Sequence, residues 1–214
     1  MSRGRTAPHF TFACDGELLS CAALDPAVEA RPGVEANPGA EDGDRPAAVL
    51  LHGAGTSDEG RFSGLLGDLA ARGHQALCFD FSGHGASSGR LPHLSLRRRF
   101  TQARAVIDAH VPPGRRLLLI GFSMSGQTVA DLVAHYGSRV AAIGLCAPAV
   151  YDRAAWDVPF GDGSLGCHGG MLPNAGRAVE RMAAAPPLSG CPPTLGVPRP
   201  PGRGGPWAGR RPGA

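Results

Sequence analysis

The strongest constraint on this fold is a set of four short apolar runs, each separated from the next by a helix-length segment. The runs are AAVLL (47–51), QALCFDF (75–81), RLLLI (116–120) and VAAIGL (140–145). Runs this short and continuous are typical of strands that are buried on both faces. Because strands that alternate with helices form repeated βαβ units, we expect the α/β class, with a mostly parallel sheet and helices on both faces.

The segments between these runs carry apolar residues at helical spacing. Residues 58–72 form one such segment, and Gly73 follows where a helix would end in a left-handed cap. Ser95 begins a second helix, and a third is expected over 124–136. Nearer the N-terminus, two alternating runs over 9–24 surround an Asp-Gly pair, which predicts a β-hairpin. In parallel sheets ligands bind beyond the C-terminal strand ends, so we expect the functional site there.

A change in composition divides the chain into a domain of residues 1–163 and a tail of residues 164–214. The tail holds ten of the 20 prolines of the chain and no Asp. Such a composition buries too little apolar area to offset chain entropy, so the tail is predicted to be mostly disordered, with one short helix around 175–185. A shifted reading frame in a GC-rich gene would give the same change, and a genuine short variant with a disordered tail is the competing hypothesis. A Pro- and Gly-rich stretch over 25–44 is expected to be a loop.

Charge, cysteine usage and hydropathy argue against several classes of protein. The net charge is +3, and every basic residue is an arginine. Arg97, Arg98 and Arg99 lie in a helical segment without interleaved aromatic residues, so we interpret them as a solvated helix face and expect no nucleic-acid partner. The N-terminus lacks an apolar leader and no run approaches the ~20 apolar residues of a membrane span, so we expect a cytoplasmic protein without a membrane partner. The six scattered cysteines predict reduced, buried thiols and no metal site.

The stretch GFSMSG (121–126) joins the third apolar run to the third predicted helix. A sharp strand-to-helix turn needs small residues two before and two after its central residue, and Gly121 and Ser125 meet that need. Such a turn would place the Ser123 hydroxyl at a helix N-terminus, where backbone N–H groups stabilise a developing oxyanion. The sequence therefore makes Ser123 a candidate nucleophile, and the alternative is that it only caps the helix.

Gly-rich loops follow the first two runs at the same end of the predicted sheet. In HGAG (52–55), the N–H of Ala54 could act with the N–H of Met124 as an oxyanion hole, although a tight turn would need the same glycines. In DFSGHGAS (80–87), the glycines again allow backbone segments to approach each other closely at the end of the sheet. Both loops are placed where a ligand would bind.

These three motifs, in this order, resemble the α/β-hydrolases, and specifically the group that includes bacterial esterases, thioesterases, acyl-peptide hydrolases and serine aminopeptidases. The resemblance covers roughly residues 9–163. It implies that Ser123 is the nucleophile, that the N–H groups of Ala54 and Met124 form the oxyanion hole, and that neither a metal nor an organic cofactor is needed. One departure is Ser125, which stands where the nucleophile motif of the family usually has glycine.

The resemblance also implies a catalytic acid and a histidine later in the chain, in the order Ser, acid, His. The strands that carry them in the family are not recognisable after VAAIGL, so the sheet is expected to lack its last strands. Asp152 or Asp157 with His168 keeps the order and gives weak candidates, while a solvated loop histidine is the alternative for His168. Asp162 is too close to His168, and Glu180 follows it.

Three functions remain open from the sequence. The first is a serine hydrolase that cleaves an ester, thioester or amide of a small molecule through an acyl-enzyme at Ser123, impaired because the acid and the histidine are missing. The second is a non-catalytic module that binds a small acyl ligand or a partner protein in the same cleft. The third is a truncated product that folds poorly because its sheet keeps an exposed edge.

Overall fold

The computed structural model describes residues 7–26, 45–54 and 58–161. The strands are β1 (His9–Cys14), β2 (Glu17–Leu24), β3 (Ala47–Leu51), β4 (Ala76–Phe79), β5 (Leu117–Phe122) and β6 (Val140–Cys146). The α-helices are α1 (Ser63–Ala71), α2 (Leu96–His110) and α3 (Ser125–Tyr136), and short 3₁₀ turns cover Glu59–Phe62, Leu91–His93, Gly137–Arg139 and Arg153–Ala155. The predicted tail 164–214, its helix around 175–185 and most of the loop over 25–44 lie outside the described residues.

The six strands form one sheet in the order β1-β2-β4-β3-β5-β6. Strands β4, β3, β5 and β6 are parallel to one another, and β2 joins β4 in the antiparallel direction. The β1–β2 hairpin turns at Asp15 and Gly16, whose φ angles are 53° and 76°. Because a tight hairpin turn requires both central residues in the left-handed region, the Asp-Gly pair made this hairpin predictable from sequence.

Alternate residues of β3 face two separate apolar layers. Ala47, Val49 and Leu51 pack into a core that also contains residues of α2 and α3: Ala103, Val106, Ile107, Val129 and Leu132. Ala48 and Leu50 pack into a second core with Phe62 and the α1 residues Leu66, Leu69 and Ala70. A strand with both faces covered has no polar side to alternate with, which explains the continuous run AAVLL. The predicted α/β class, with helices on both faces of a mostly parallel sheet, is confirmed.

The signals that mark the ends of the helices behave as the sequence predicts. Gly73 follows α1 with φ 84°, in the left-handed region. The Ser95 side chain accepts a hydrogen bond from the N–H of Arg98 and so caps α2. The first predicted helix is shorter than expected, because residues 59–62 form a 3₁₀ turn before α1 begins.

Strand β6 lies at one edge of the sheet. Among the described residues no strand pairs with its outer side, and the Ile143 side chain is 40% exposed. Leu118 and Ile120 of the neighbouring β5 are only partly covered. Within the part of the chain that the structure describes, the sheet therefore has the exposed edge that the sequence predicted. No helix within the described ranges is both long enough and apolar enough to cross a membrane.

Candidate active site

Ser123 lies in the tight turn between β5 and α3, with a φ angle of 51°. For a residue with a Cβ atom, this left-handed conformation costs about 1–2 kcal/mol. Three backbone hydrogen bonds hold it there: its N–H donates to the Cys146 carbonyl (2.9 Å), and its carbonyl accepts from the N–H groups of Gly126 (2.8 Å) and Ala149 (2.9 Å). The Ser123 side chain is exposed, and its hydroxyl makes no hydrogen bond within the described residues.

Glycines on either side of this turn allow its close packing. A Cβ atom at Gly121 would lie 2.7 Å from the Ser125 carbonyl oxygen and 2.7 Å from Val129 Cγ2. A Cβ atom at Gly126 would lie 2.5 Å from the Cβ atom of Pro148. All three distances are shorter than real Cβ contacts, so the turn requires glycine at these two positions.

The loop after β3 passes directly beside Ser123. A Cβ atom at Gly53 would lie 3.1 Å from the Ser123 Cβ atom and 3.7 Å from its Oγ atom. Ala54 comes next in the chain, and Met124 follows Ser123. Within the described residues, neither the Ala54 N–H nor the Met124 N–H donates a hydrogen bond. The residues of the expected oxyanion hole therefore flank the serine from two neighbouring strand ends.

His52, at the end of β3, is buried and has both ring nitrogens occupied by backbone groups. The N–H of Phe81 donates to Nε2 (3.1 Å), so Nδ1 carries the proton and donates to the Gly53 carbonyl (2.6 Å). Burial, and then the nearby charge of Arg99, lowers the pKa of His52 to about 2. A neutral imidazole without a free nitrogen cannot take a proton from Ser123, so we assign His52 the role of stabilising the turns around it.

Two buried carboxyl groups organise the loop after β4. Asp80 accepts hydrogen bonds from the N–H groups of Glu59 (2.6 Å) and Ala86 (2.9 Å). The Glu59 carboxyl group accepts from the Ser20 hydroxyl (2.8 Å) and contacts the Nδ1 atom of His9 (3.0 Å). Burial raises the pKa of both carboxyl groups. Because these contacts tie the loops to β1 and β2, we assign the two acids a structural role.

The two acids predicted from the sequence, Asp152 and Asp157, lie in the described chain after β6, but neither contacts Ser123. Asp152 accepts a hydrogen bond from the N–H of Ala154 (2.8 Å) and so caps a 3₁₀ turn. Asp157 pairs with Arg97 at 3.0 Å, with both side chains about 65% exposed. The candidate histidine, His168, lies outside the described residues, as do Asp162 and Glu180, the two acids that the sequence argues against. No histidine within the described ranges is hydrogen-bonded to Ser123.

The prediction of a solvated arginine face is wrong for Arg99. Arg97 is exposed and Arg98 pairs with Asp15 at 2.8 Å, whereas Arg99 is completely buried. Its Nη2 group donates to the His52 carbonyl and to the Ser125 hydroxyl. The signal for its burial was helical spacing, because Arg99 lies three residues after Leu96 on the apolar face of α2.

The cysteines agree only in part with the prediction of buried thiols. Cys14, Cys21, Cys78 and Cys146 are all free, and Cys21 and Cys78 are buried. Burial raises the pKa of Cys21 to about 12. Cys146 is exposed at the end of β6, so the prediction is wrong for that residue. Within the described ranges, no three His, Cys, Asp or Glu residues are grouped so that they could hold a metal ion.

A cavity of about 310 Å³ lies beside α3, between that helix and the chain after β6. Its walls include Gln127, Asp131, Tyr151 and Trp156. Burial raises the pKa of Asp131 to about 6, although the Gln127 side chain donates hydrogen bonds to both of its carboxyl oxygens (3.1 and 3.3 Å). Gln127 lies one helical turn after Ser123, but Ser123 itself is not part of the cavity wall.

The sheet order, the left-handed serine after β5 and the Gly-rich loop after β3 together define an α/β-hydrolase. Residues 43–184, more than half of the chain, match the family model described as serine aminopeptidase, S33, and the chain belongs to that family.

Curated relatives match part of the chain. Probable esterase PIR7A of Oryza sativa subsp. indica is 29% identical over 112 residues, which cover 51% of this chain and 42% of the relative. Norfluorocurarine synthase 1 of Strychnos nux-vomica is 27% identical over 92 residues, which cover 43% of this chain and 34% of the relative. The chain thus spans less than half the length of these relatives.

Solved structures share the fold. The thioesterase domain from the curacin biosynthetic pathway gives a TM-score of 0.55 at 17% identity, and the match covers 70% of this chain and 49% of that one. A protein from Agrobacterium vitis S4 gives a TM-score of 0.53 at 26% identity, covering 67% of this chain and 53% of that one. Here too the chain spans about half of each neighbour.

Proposed function

We propose that the chain is a serine hydrolase in which Ser123 attacks the carbonyl carbon of a small-molecule ester, thioester or amide and forms an acyl-enzyme. The observation that carries this proposal is the exposed, left-handed Ser123, with φ 51° at the end of β5. Glycine would adopt this conformation without strain, whereas strained residues of other types cluster at functional sites.

The oxyanion that forms during this attack would be stabilised by the N–H groups of Ala54 and Met124. Their residues lie on either side of Ser123, and neither N–H donates a hydrogen bond within the described residues, which supports a role in binding a ligand. The alternative in which Ser123 only caps α3 has no support from the hydrogen bonds, because no side chain caps this helix. The proposal requires no cofactor.

The proton of the Ser123 hydroxyl needs an acceptor, for which we propose His168. Of the two candidate acids, Asp157 is paired with Arg97, so we propose Asp152 as the partner of His168. A serine hydrolase without its base and acid loses several orders of magnitude in rate. We therefore expect slow turnover if His168 does not act, with reaction confined to activated acyl groups.

Covalent labelling with a fluorophosphonate tests the nucleophile. We expect mass spectrometry to find the label on Ser123, and Ser123→Ala to abolish labelling. Ser63→Ala is the matched control, since Ser63 is also exposed at the start of a helix but has an ordinary helical φ of −52°. Labelling that is absent, or that persists in Ser123→Ala, would contradict the assignment of Ser123.

A second comparison tests the base. If His168 takes the proton, His168→Gln lowers the labelling rate by about 10²–10⁴, the usual contribution of general base catalysis. An unchanged rate in His168→Gln would remove His168 from the mechanism. Asp152→Asn, with Asp157→Asn as its control, distinguishes the two candidate acids in the same way.

A second candidate function is a non-catalytic module that binds a small acyl ligand at the same strand ends. It is favoured by one observation, that no described histidine contacts Ser123. In that case calorimetric titration would show p-nitrophenyl butyrate binding equally to the wild type and to Ser123→Ala, without release of nitrophenol. Release that depends on Ser123 would exclude this function.

A further inference from the structure

Three buried groups close a small hydrogen-bonded triangle beneath Ser123. The Arg99 Nη2 group donates to the His52 carbonyl (2.7 Å) and to the Ser125 Oγ atom (2.7 Å). Ser125 Oγ donates in turn to the same His52 carbonyl (2.6 Å). We call these three groups the Arg99 triangle. All three residues are fully buried, and they come from the end of β3, from α2 and from the start of α3.

The guanidinium of Arg99 has few other partners. Its carbon lies 3.7 Å from the centre of the Phe81 ring, while Nε and Nη1 make no hydrogen bond within the described residues. No carboxylate in those ranges forms an ion pair with it. Burying a cation without an acid is costly, so the contacts that Arg99 does make need an explanation.

The two acceptors of Arg99 lie next to the two halves of the proposed oxyanion hole. The His52 carbonyl comes two residues before the N–H of Ala54, and Ser125 directly follows Met124. The Ser125 hydroxyl exists only because this chain has serine where the motif it resembles usually has glycine. A catalytic N–H must be held to a fraction of an ångström, and rigid supporting contacts provide that precision.

We propose that Arg99 and Ser125 are positioning residues, which hold the HGAG loop against the start of α3 through the shared His52 carbonyl. Neither touches a substrate. They act by fixing the distance between the N–H groups of Ala54 and Met124. The inference rests on the proposed function, because it concerns the oxyanion hole of the same site.

Two variants and their combination test the triangle. Arg99→Met removes the donor, and Ser125→Gly removes the hydroxyl without adding bulk. We expect each to lower the rate of fluorophosphonate labelling by about tenfold to a hundredfold. We expect the double variant to lose little more than either single variant, because the two residues act as one unit.

Gln102→Met is the matched control for Arg99→Met. Gln102 is also fully buried on α2 and hydrogen-bonded, but its partners are the N–H and the hydroxyl of Ser82. We expect Gln102→Met, which leaves the buried Ser82 N–H and hydroxyl without their partner, to lower the unfolding midpoint and to leave the labelling rate at its wild-type level. Equal loss of labelling in both variants would show a general structural effect and overturn the proposal.

A measurement without chemistry separates this inference from the proposed function. NMR relaxation reports the order parameters of the Gly53 and Ala54 amides, which we expect to fall from about 0.85 to below about 0.6 in Arg99→Met and in Ser125→Gly. Unchanged order parameters in a folded Ser125→Gly variant overturn the inference, even if labelling declines. If the wild type is not labelled at all, the proposed function fails, and the order parameters still decide whether the triangle holds the loop.

Discussion

The strained turn at Ser123 makes a quantitative prediction about stability. Ser123 has a φ angle of 51°, and its side chain is exposed, so replacing it removes little buried surface. Glycine relieves the strain of the left-handed conformation, which stabilises the folded state by about 1–2 kcal/mol. The greater flexibility of glycine in the unfolded chain destabilises the folded state by about 0.5–1 kcal/mol. We therefore expect Ser123→Gly to be more stable than Ser123→Ala by about 0.5–1 kcal/mol, although both lack the hydroxyl that we propose as the nucleophile.

Equilibrium unfolding in urea measures this difference, and the midpoint of thermal unfolding should be higher in Ser123→Gly than in Ser123→Ala by about 1–4 °C. Ala147→Gly is an independent check, because Ala147 is exposed, has a φ of 46°, and loses only a methyl group. The free energy of unfolding of Ala147→Gly should exceed that of the wild type by a similar amount. If Ser123→Gly is no more stable than Ser123→Ala while Ala147→Gly is stabilised, Ser123 is not strained, and the reasoning that leads from strain to function fails.

Three further predictions follow from the site and its buried ionisable groups. Gly53→Ala places a methyl group 3.1 Å from the Ser123 Cβ atom, so the rate of fluorophosphonate labelling should fall by about a hundredfold. An unchanged rate would show that the probe approaches Ser123 from another side. Burial lowers the pKa of His52 to about 2 from 6.5, so below pH 6.5 the unfolded chain binds a proton that the folded chain does not. The free energy of unfolding therefore falls as the pH is lowered from 6.5, by up to about 1.4 kcal/mol per pH unit. Urea unfolding at several pH values should show a weaker dependence of this free energy on pH in His52→Gln than in the wild type. Burial raises the pKa of Asp131 to about 6 from 3.8, so the free energy of unfolding falls as the pH rises from about 3.8 to about 6 and then stays at the lower level. After a discount for partial exposure, we expect Asp131→Asn to be more stable than the wild type by about 1–2 kcal/mol at pH 7.5 and to show no gain near pH 3. A gain at both pH values would point to another cause.

The order of strands and helices could be predicted because each element carries a local signal. The run AAVLL is apolar throughout because both faces of β3 are covered, and the Asp-Gly pair marks the hairpin turn. Gly73 and Ser95 mark where one helix ends and another begins. Such signals depend on the conformation of a few neighbouring residues, so one sequence suffices to read them.

The contacts beneath the site could not be predicted in the same way. The burial of Arg99 depends on residues 47 positions before it and 26 positions after it, His52 and Ser125. A charged residue is almost never fully buried, so composition favoured a solvated helix face. Only the helical spacing from Leu96 indicated otherwise, and spacing alone cannot show which group would accept the buried hydrogen bonds.

The positions of the strained residues also support the proposed site at the ends of β5 and β6. Among the described residues, three other than glycine have positive φ: Asp15, Ser123 and Ala147. Asp15 lies in a hairpin turn, where this conformation is required and aspartate tolerates it. Ser123 and Ala147 are adjacent in space, since the Ser123 N–H donates to the carbonyl of Cys146, the residue before Ala147. Glycine would relieve the strain at either position. Of the two residues, Ser123 also exposes a hydroxyl. A strained residue with an exposed hydroxyl, kept where glycine would be more stable, supports the proposal that this turn serves chemistry and not folding alone.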